Sequence, residues 1–187
     1  MTVVRRLDPA DLEDLVAIRR EALITDPCAF SASPNSDLGL DREFIRSSMS
    51  ETSTQAYFGA YDGQLVGMTG VFRYPKEKEA HKAGVWGMYV RPSHRGQGHG
   101  AALLAAAVDF ARSLPGVTQL CLCVSETAGV AMGLYDRFGF VTWGREPAAL
   151  KVDGVAVDVR HMVRALNEER RTENEENNPA QNRGPEP

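Results

Sequence analysis

Residues 85–113 constrain this chain more than any other stretch. An apolar run, Val85-Trp86-Gly87-Met88-Tyr89-Val90, leads to the glycine-spaced hexapeptide Arg95-Gly96-Gln97-Gly98-His99-Gly100, and a helical pattern follows over residues 101–113. A strand that turns through glycines into a helix is one β-α unit of an α/β fold. Such a turn aims several backbone N–H groups at one spot, and the positive end of the helix favours an anion there, most often phosphate. Glycine permits positive φ and removes side chains that would hold a pyrophosphate away from the backbone. No Gly-Lys-Ser/Thr follows, and the spacing is not Gly-x-Gly-x-x-Gly, so neither familiar nucleotide loop is present. Taken alone, the hexapeptide also suits a plain strand-to-helix connection.

The flanking sequence extends the α/β pattern. A first short strand covers residues 2–7, and Asp8-Pro9-Ala10-Asp11 reads as a helix start, with Asp8 as N-cap and Pro9 at the first helical position. Leu12, Leu15, Val16, Arg19, Ala22 and Leu23 then fall on one helical face, all apolar but Arg19. Residues 25–39, rich in Pro, Ser, Asp and Asn, read as loop, and a second helix from Asp41 is expected to bury Phe44, Ile45 and Met49. Residues 57–72 form a hairpin about Asp62-Gly63, a turn pair in which both residues are expected at positive φ. Residues 75–81 are a charged loop, and the next strand, to Val90, carries Gly84 and Gly87, of which Gly87 is the candidate for a bulge. Leu103, Leu104, Ala107, Val108 and Ala111 make a clean apolar helix face, ended by Pro115-Gly116. The unbroken run Leu120–Val124 suggests a strand covered on both faces. Thr127 is expected to cap a helix through Phe138, with Gly139 at C′, and two strands near residues 141–145 and 155–163 flank Asp153-Gly154. The order β-α-α-β-β-β-α-β-α-β-β predicts a mixed, twisted sheet of about seven strands with about four helices on both faces.

Composition narrows the class. The 187 residues suit one domain with a full core. Of the formal net charge of −4, the last 21 residues supply −3 through six acidic and three basic side chains, so nothing pulls the near-neutral body toward nucleic acid or an anionic membrane. The expected division is a domain over residues 1–166 and a disordered acidic tail over 167–187. The absence of a spanning apolar run or signal-peptide core points to a cytoplasmic protein. Cys28, Cys121 and Cys123 make no disulfide framework, and the spacing of Cys121-x-Cys123 is wrong for a zinc knuckle, so reduced thiols and buried packing are expected, with no metal.

Two blocks carry a resemblance. Arg95-x-x-Gly98-x-Gly100, preceded by Met88-Tyr89-Val90-Arg91-Pro92, resembles the acyl-CoA loop of the GNAT superfamily of N-acetyltransferases. Ala131-x-x-Leu134-Tyr135-x-x-Phe138-Gly139-Phe140 resembles the helix that follows the next strand in that family, and the two blocks stand in the family's order. The resemblance covers nearly everything from Val3 to Leu166. It implies the GNAT fold and transfer of an acetyl group from acetyl-CoA, as cosubstrate, to a primary amine of a small molecule, amino acid, peptide or protein. Direct attack in a ternary complex is the implied route, and a homodimer is plausible for the family. The open alternative is a GNAT-fold module that holds acyl-CoA without turnover.

The resemblance also assigns residues. The main chain of Arg95, Gly96, Gln97, Gly98, His99 and Gly100 would bind the pyrophosphate, the His99 side chain being expected to face solvent and the Arg95 side chain mainly to position the loop. Met88, Tyr89 and Val90 would pair with the pantetheine arm along a strand edge left open beside the bulge, whether or not their side chains also pack in the core. Tyr135 would be the general acid for the departing thiolate, although a tyrosine four residues after Ala131 also suits a core. Cys121 and Cys123 are poor candidates for a covalent route, since an apolar strand disfavours a thiolate. For the general base Glu79, His81, Glu126 and Asp158 could each serve, directly or through a water, but each also reads as a surface charge, and the sequence singles out none. Acceptor choice should lie in residues 25–39, the first two helices and residues 145–153. One departure from the family stands out: Ala128 occupies the position, seven residues before the tyrosine, where many members carry a cofactor-binding asparagine.

Overall fold

Asp8 opens the first helix as its neighbours predict. Its carboxylate accepts from the Ala10 amide at 2.7 Å, and Asp11 reaches back to the Asp8 amide at 3.0 Å, which completes a capping box. A single 3₁₀ turn at Pro9–Asp11 then runs into α1 (Leu12–Thr25), whose Leu12, Leu15, Val16, Ala22 and Leu23 are all buried. The computed structural model describes residues 2–50 and 52–166, so the expected acidic tail lies outside the described residues. Among the described residues the remaining helices are α2 (Arg42–Ser48), α3 (His99–Ser113) and α4 (Gly129–Arg137). The strands are β1 (Val3–Arg6), β2 (Gln55–Asp62), β3 (Gln64–Arg73), β4 (Lys82–Val90), β5 (Gln119–Ser125), β6 (Val141–Val152) and β7 (Val155–Ala165). Element order is the one the sequence predicts. None of these helices is long and apolar enough to cross a membrane.

The seven strands form one mixed sheet in the order β1-β2-β3-β4-β5-β7-β6, antiparallel everywhere except between β4 and β5. Alternation along the strands splits the core in two. One layer joins Phe58, Val66, Val71, Leu120 and Leu122 to the apolar face of α3 and to Tyr135 of α4. The other joins Tyr57, Leu65, Met68 and Tyr89 to α1 and to Ile45 of α2. α1 and α2 therefore cover β2 to β4 and leave the same face of β5, β7 and β6 without a helix.

Several local expectations change in three dimensions. Phe44 is 41% exposed, because a two-turn helix turns only Ile45, with Met49 just past its end, onto the core. In the β2–β3 turn only Gly63 has positive φ, since a register shift at Ala60/Tyr61 brings Asp62 opposite Gln64. At Asp153-Gly154 both residues do take positive φ, as a two-residue hairpin requires. Thr127 does not cap α4; its hydroxyl meets that of Ser125 at 2.7 Å and Ala128 stands at the N-cap. β6 runs to Val152, well past the expected end near residue 145, with a register break between Glu146 and Leu150 where Ala148 takes φ 51°. Residues 120–124 are not covered on both faces: Leu120, Leu122 and Val124 are buried while Cys123 is exposed.

Candidate active site

The two parallel strands part company early. β4 and β5 pair at Lys82–Gly84 and Gln119–Cys121, after which β5 stays with β7 and the second half of β4 has no strand neighbour on that side among the described residues. Beyond the fork β4 bulges. Met68 faces Tyr89 and Gly70 faces Trp86, so Gly87 and Met88 stand opposite Thr69 alone. Gly87 takes φ 66°, which only glycine adopts without strain, and the Thr69 hydroxyl donates to the Trp86 carbonyl at 3.3 Å beside it. The bulge falls where the glycine predicted it.

The glycine loop lies just past the open end of β4. Gly96 and Gly98 have φ 77° and 88°, and a Cβ at either would meet no heavy atom within 4 Å, so the space before them is open. The amides of residues 96–101 find no hydrogen-bond acceptor among the described residues, the first bond of α3 being Ala102 N–H to the Gly98 carbonyl at 3.0 Å. These free donors at a helix start suit the diphosphate of a coenzyme. The Arg95 amide does not join them, for it closes a turn onto the Pro92 carbonyl at 3.3 Å. Its side chain bonds the Val90 carbonyl at 2.9 Å and pairs with Asp26, which braces the loop against the end of α1. The His99 side chain does not face solvent; it is 3% exposed, beside His94, with neither ring nitrogen hydrogen-bonded among the described residues. The first turn of α3 tucks it inward.

Tyr135 is fixed from behind. α4 ends in a Schellman motif: the Phe140 amide donates to the Tyr135 carbonyl at 3.1 Å, the Gly139 amide to Asp136 at 3.0 Å, and Gly139 takes φ 77°. The Phe140 ring packs edge-on to the phenol at 5.9 Å. Burial pushes the Tyr135 hydroxyl up to about 12, so the group keeps its proton at any physiological pH. The hydroxyl has no hydrogen bond among the described residues and lies on the α3/α4 side of the sheet.

A cleft of about 830 Å³ opens on the opposite side of the sheet. Its floor is β5, β7 and β6; its wall is Trp86 and Gly87 of β4, Arg19 of α1 and Phe30 and Asp37 of the 25–39 loop. That loop and the 145–153 segment contribute as expected, and α2 does not. Pairing of β5 with β7 sets Cys123 opposite His161, and β6 brings Glu146 to the same face. Cys123 Sγ lies 3.2 Å from His161 Nδ1, and His161 Nε2 lies 3.0 Å from Glu146. A carboxylate only accepts, which assigns the proton of a neutral imidazole to Nε2 and leaves Nδ1 as the acceptor facing the thiol. Desolvation, and for Cys123 also the Glu146 charge, pushes both cleft thiols above the ordinary value, so they stay protonated. The expectation of buried packing fails for Cys123, because Leu120, Leu122 and Val124 take the core side of β5 and Cys123 points the other way.

Glu79, His81, Glu126 and Asp158 do not border this cleft. Glu79 pairs with Lys82, Glu126 with Arg145 and Arg160, and Asp158 with Arg145. Among the described residues no cluster of three or more potential metal ligands occurs.

Residues 17–140 match the acetyltransferase (GNAT) family model, which is well over half of the chain. The chain belongs to the GNAT family. Enzymes of this family use acetyl-CoA as acetyl donor. Mycothiol acetyltransferase of Salinispora tropica is 33% identical over 81 residues, or 43% of this chain, and the match spans about a quarter (26%) of that relative's length. The fold recurs in a GNAT acetyltransferase from Streptococcus pneumoniae, with TM-score 0.77, 22% identity, and coverage of 88% of this chain and 99% of that one. It recurs again in YncA from Salmonella typhimurium, solved with acetyl-CoA, with TM-score 0.78, 19% identity, and coverage of 90% and 95%.

Proposed function

We propose that this GNAT protein transfers the acetyl group of acetyl-CoA to a primary amine by direct attack in a ternary complex. One observation carries the reading: beyond Gly84 the edge of β4 facing β5 is unpaired, and this stretch runs from Trp86 and Gly87 in the cleft wall toward the open amides before α3. A thioester held in that gap presents its sulfur to one face and its carbonyl carbon to the other. The amides of Gly96, Gln97, Gly98, His99 and Gly100 suit the diphosphate, with the Arg95 side chain bracing the loop. The unpaired edge of Met88, Tyr89 and Val90 suits the amide-rich arm, and a main-chain N–H at the bulge suits the carbonyl oxygen.

Tyr135, on the α3/α4 side with no hydrogen-bond partner for its hydroxyl among the described residues, suits a donor to the departing thiolate. With its pKa near 12 against roughly 8.5 for a thiol, full proton transfer is uphill, so the phenol acts as a hydrogen-bond donor to the sulfur. On the amine side His161 is the base that the residue order did not reveal. Nδ1 offers a lone pair to the cleft, Glu146 orients the ring, and the weakly donating thiol of Cys123 is readily displaced by an amine.

Thiol release from acetyl-CoA across an amine library, with mass spectrometry to catch protein acceptors, tests the proposal. Amine-dependent release is the expected result. Tight acetyl-CoA binding with no amine able to raise the rate would instead make the chain an acyl-CoA-holding module.

A further inference from the structure

Arg19 is the anomaly of the cleft. It sits in the apolar stripe of α1 with its side chain 5% exposed, and a buried cation is retained only where it is paired or used. Asp37 satisfies one corner, through Nε to Oδ2 at 2.6 Å, and is itself held by the Gly39 amide at 3.0 Å. A guanidinium has five N–H donors, and Nη1 is buried with no hydrogen-bond partner among the described residues. Phe30 and Trp86 flank the group at 4.7 and 5.4 Å from its centre, fixing its plane. Nη1 points toward the bulge, 3.7 Å from where a Cβ on Gly87 would lie, so the missing side chain leaves it beside the fork. The other cation bordering the cleft, Lys82, is taken up by Glu79 at 3.1 Å.

We propose that Arg19 receives the carboxylate of the acceptor, which makes the enzyme selective for amino acids over simple amines. Asp37 pins the guanidinium and leaves its outer edge for a two-point grip on a planar anion. Asp37 offsets the Arg19 charge through Nε but leaves Nη1 as an unused donor, and the opposite side of the cleft carries Glu146 and His161, so the lining runs from N–H donors by the bulge to acceptors on β6 and β7. An amino acid, with an anionic and a cationic end, matches that polarity. Phe30, carried by the 25–39 loop, packs on the guanidinium at 4.7 Å, so entry of the carboxylate requires that ring to shift.

This inference rests on the N-acetyltransferase reading, and its test separates the two. The wild-type enzyme is assayed at saturating acetyl-CoA with the twenty proteinogenic L-amino acids, their C-terminal amides and the corresponding decarboxylated amines. The best acid is expected to exceed its own amide and amine at least tenfold in kcat/KM, mainly through KM. Arg19→Lys, checked for folding by thermal melting, is expected to bring that ratio to within about threefold. Amides and amines that match the acids in the wild-type enzyme overturn the proposal without any variant. Equal losses of kcat for acid and amide in Arg19→Lys also overturn it, since Arg19 would then serve the thioester oxygen. If no amine is acetylated, the transferase reading fails, and calorimetry on the CoA-saturated protein decides this one: binding of acids but not amides supports it, and equal or absent binding overturns it.

Discussion

Tyr135 and His161 divide the proposed chemistry between the two faces of one sheet. The phenol packs in the α3/α4 layer and keeps its proton, whereas the imidazole stands in the open cleft between a thiol and a carboxylate. Tyr135→Phe is expected to lower kcat by about ten- to a hundredfold and leave KM for acetyl-CoA nearly unchanged, as steady-state thiol release would show. Unaltered turnover would remove Tyr135 from the reaction. Because its pKa lies near 12, no basic limb of the pH–rate profile below about pH 11 belongs to it. For His161→Gln the expected loss in kcat/KM is about a hundredfold at pH 7. That loss should shrink as pH rises toward the pKa of the amine itself, which then arrives already deprotonated. A deficit that stays constant with pH would point to packing instead. The carboxylates named from sequence are ion-pair partners: Glu126 and Asp158 find Arg145 and Arg160 within reach, and Glu79 finds Lys82.

The loop into α3 and the entry into α1 show what short motifs secure. Gly98 stands at φ 88° with open space beyond it, so Gly98→Ala meets no clash but adopts a left-handed backbone costing about 1–2 kcal/mol. The variant should unfold at a lower urea midpoint, and its Cβ should raise KM for acetyl-CoA more than it lowers kcat. At the other end of the chain Asp11 closes the capping box and binds Arg5 of β1 at 2.6 Å and Tyr61 of β2 at 3.1 Å. The Arg5 guanidinium holds the Asp11 carboxyl down at about 2, from an ordinary 3.8. A depressed carboxylate stabilises the fold above its unfolded value, and that share is lost as pH falls from about 3.8 through about 2. Asp11→Asn should therefore lower the urea midpoint at pH 7 and match the wild type near pH 2. A gap that persists in acid would assign the effect to the cap alone.

The molecule as a whole is a sheet forked past the short pairing of its two parallel strands, with a glycine loop after β4 and a cleft on the α1 side. Ligand at about 100 times its Kd adds about 2.7 kcal/mol to the folded state, roughly a 5–10 °C rise in melting temperature for a chain this size. Acetyl-CoA and CoA should produce that shift, and ATP or NAD at the same concentration should not. Equal protection by all four would reduce the loop to a general phosphate site.

Signals that act over a few residues were legible before any coordinates: the bulge at Gly87, the Schellman end at Gly139, the cap at Asp8 and the glycines before α3. Each reports a backbone angle or a local hydrogen bond that one side chain, or its absence, dictates. Arg19 also showed in the helical stripe as the one charge among apolar neighbours. The cleft could not be read this way. Cys123, His161 and Glu146 meet because β5 pairs with β7 rather than β6, and the thiol faces outward because no helix covers that end of the sheet. Strand partnership is settled by the sum of contacts between segments distant in sequence, and no short window carries that sum.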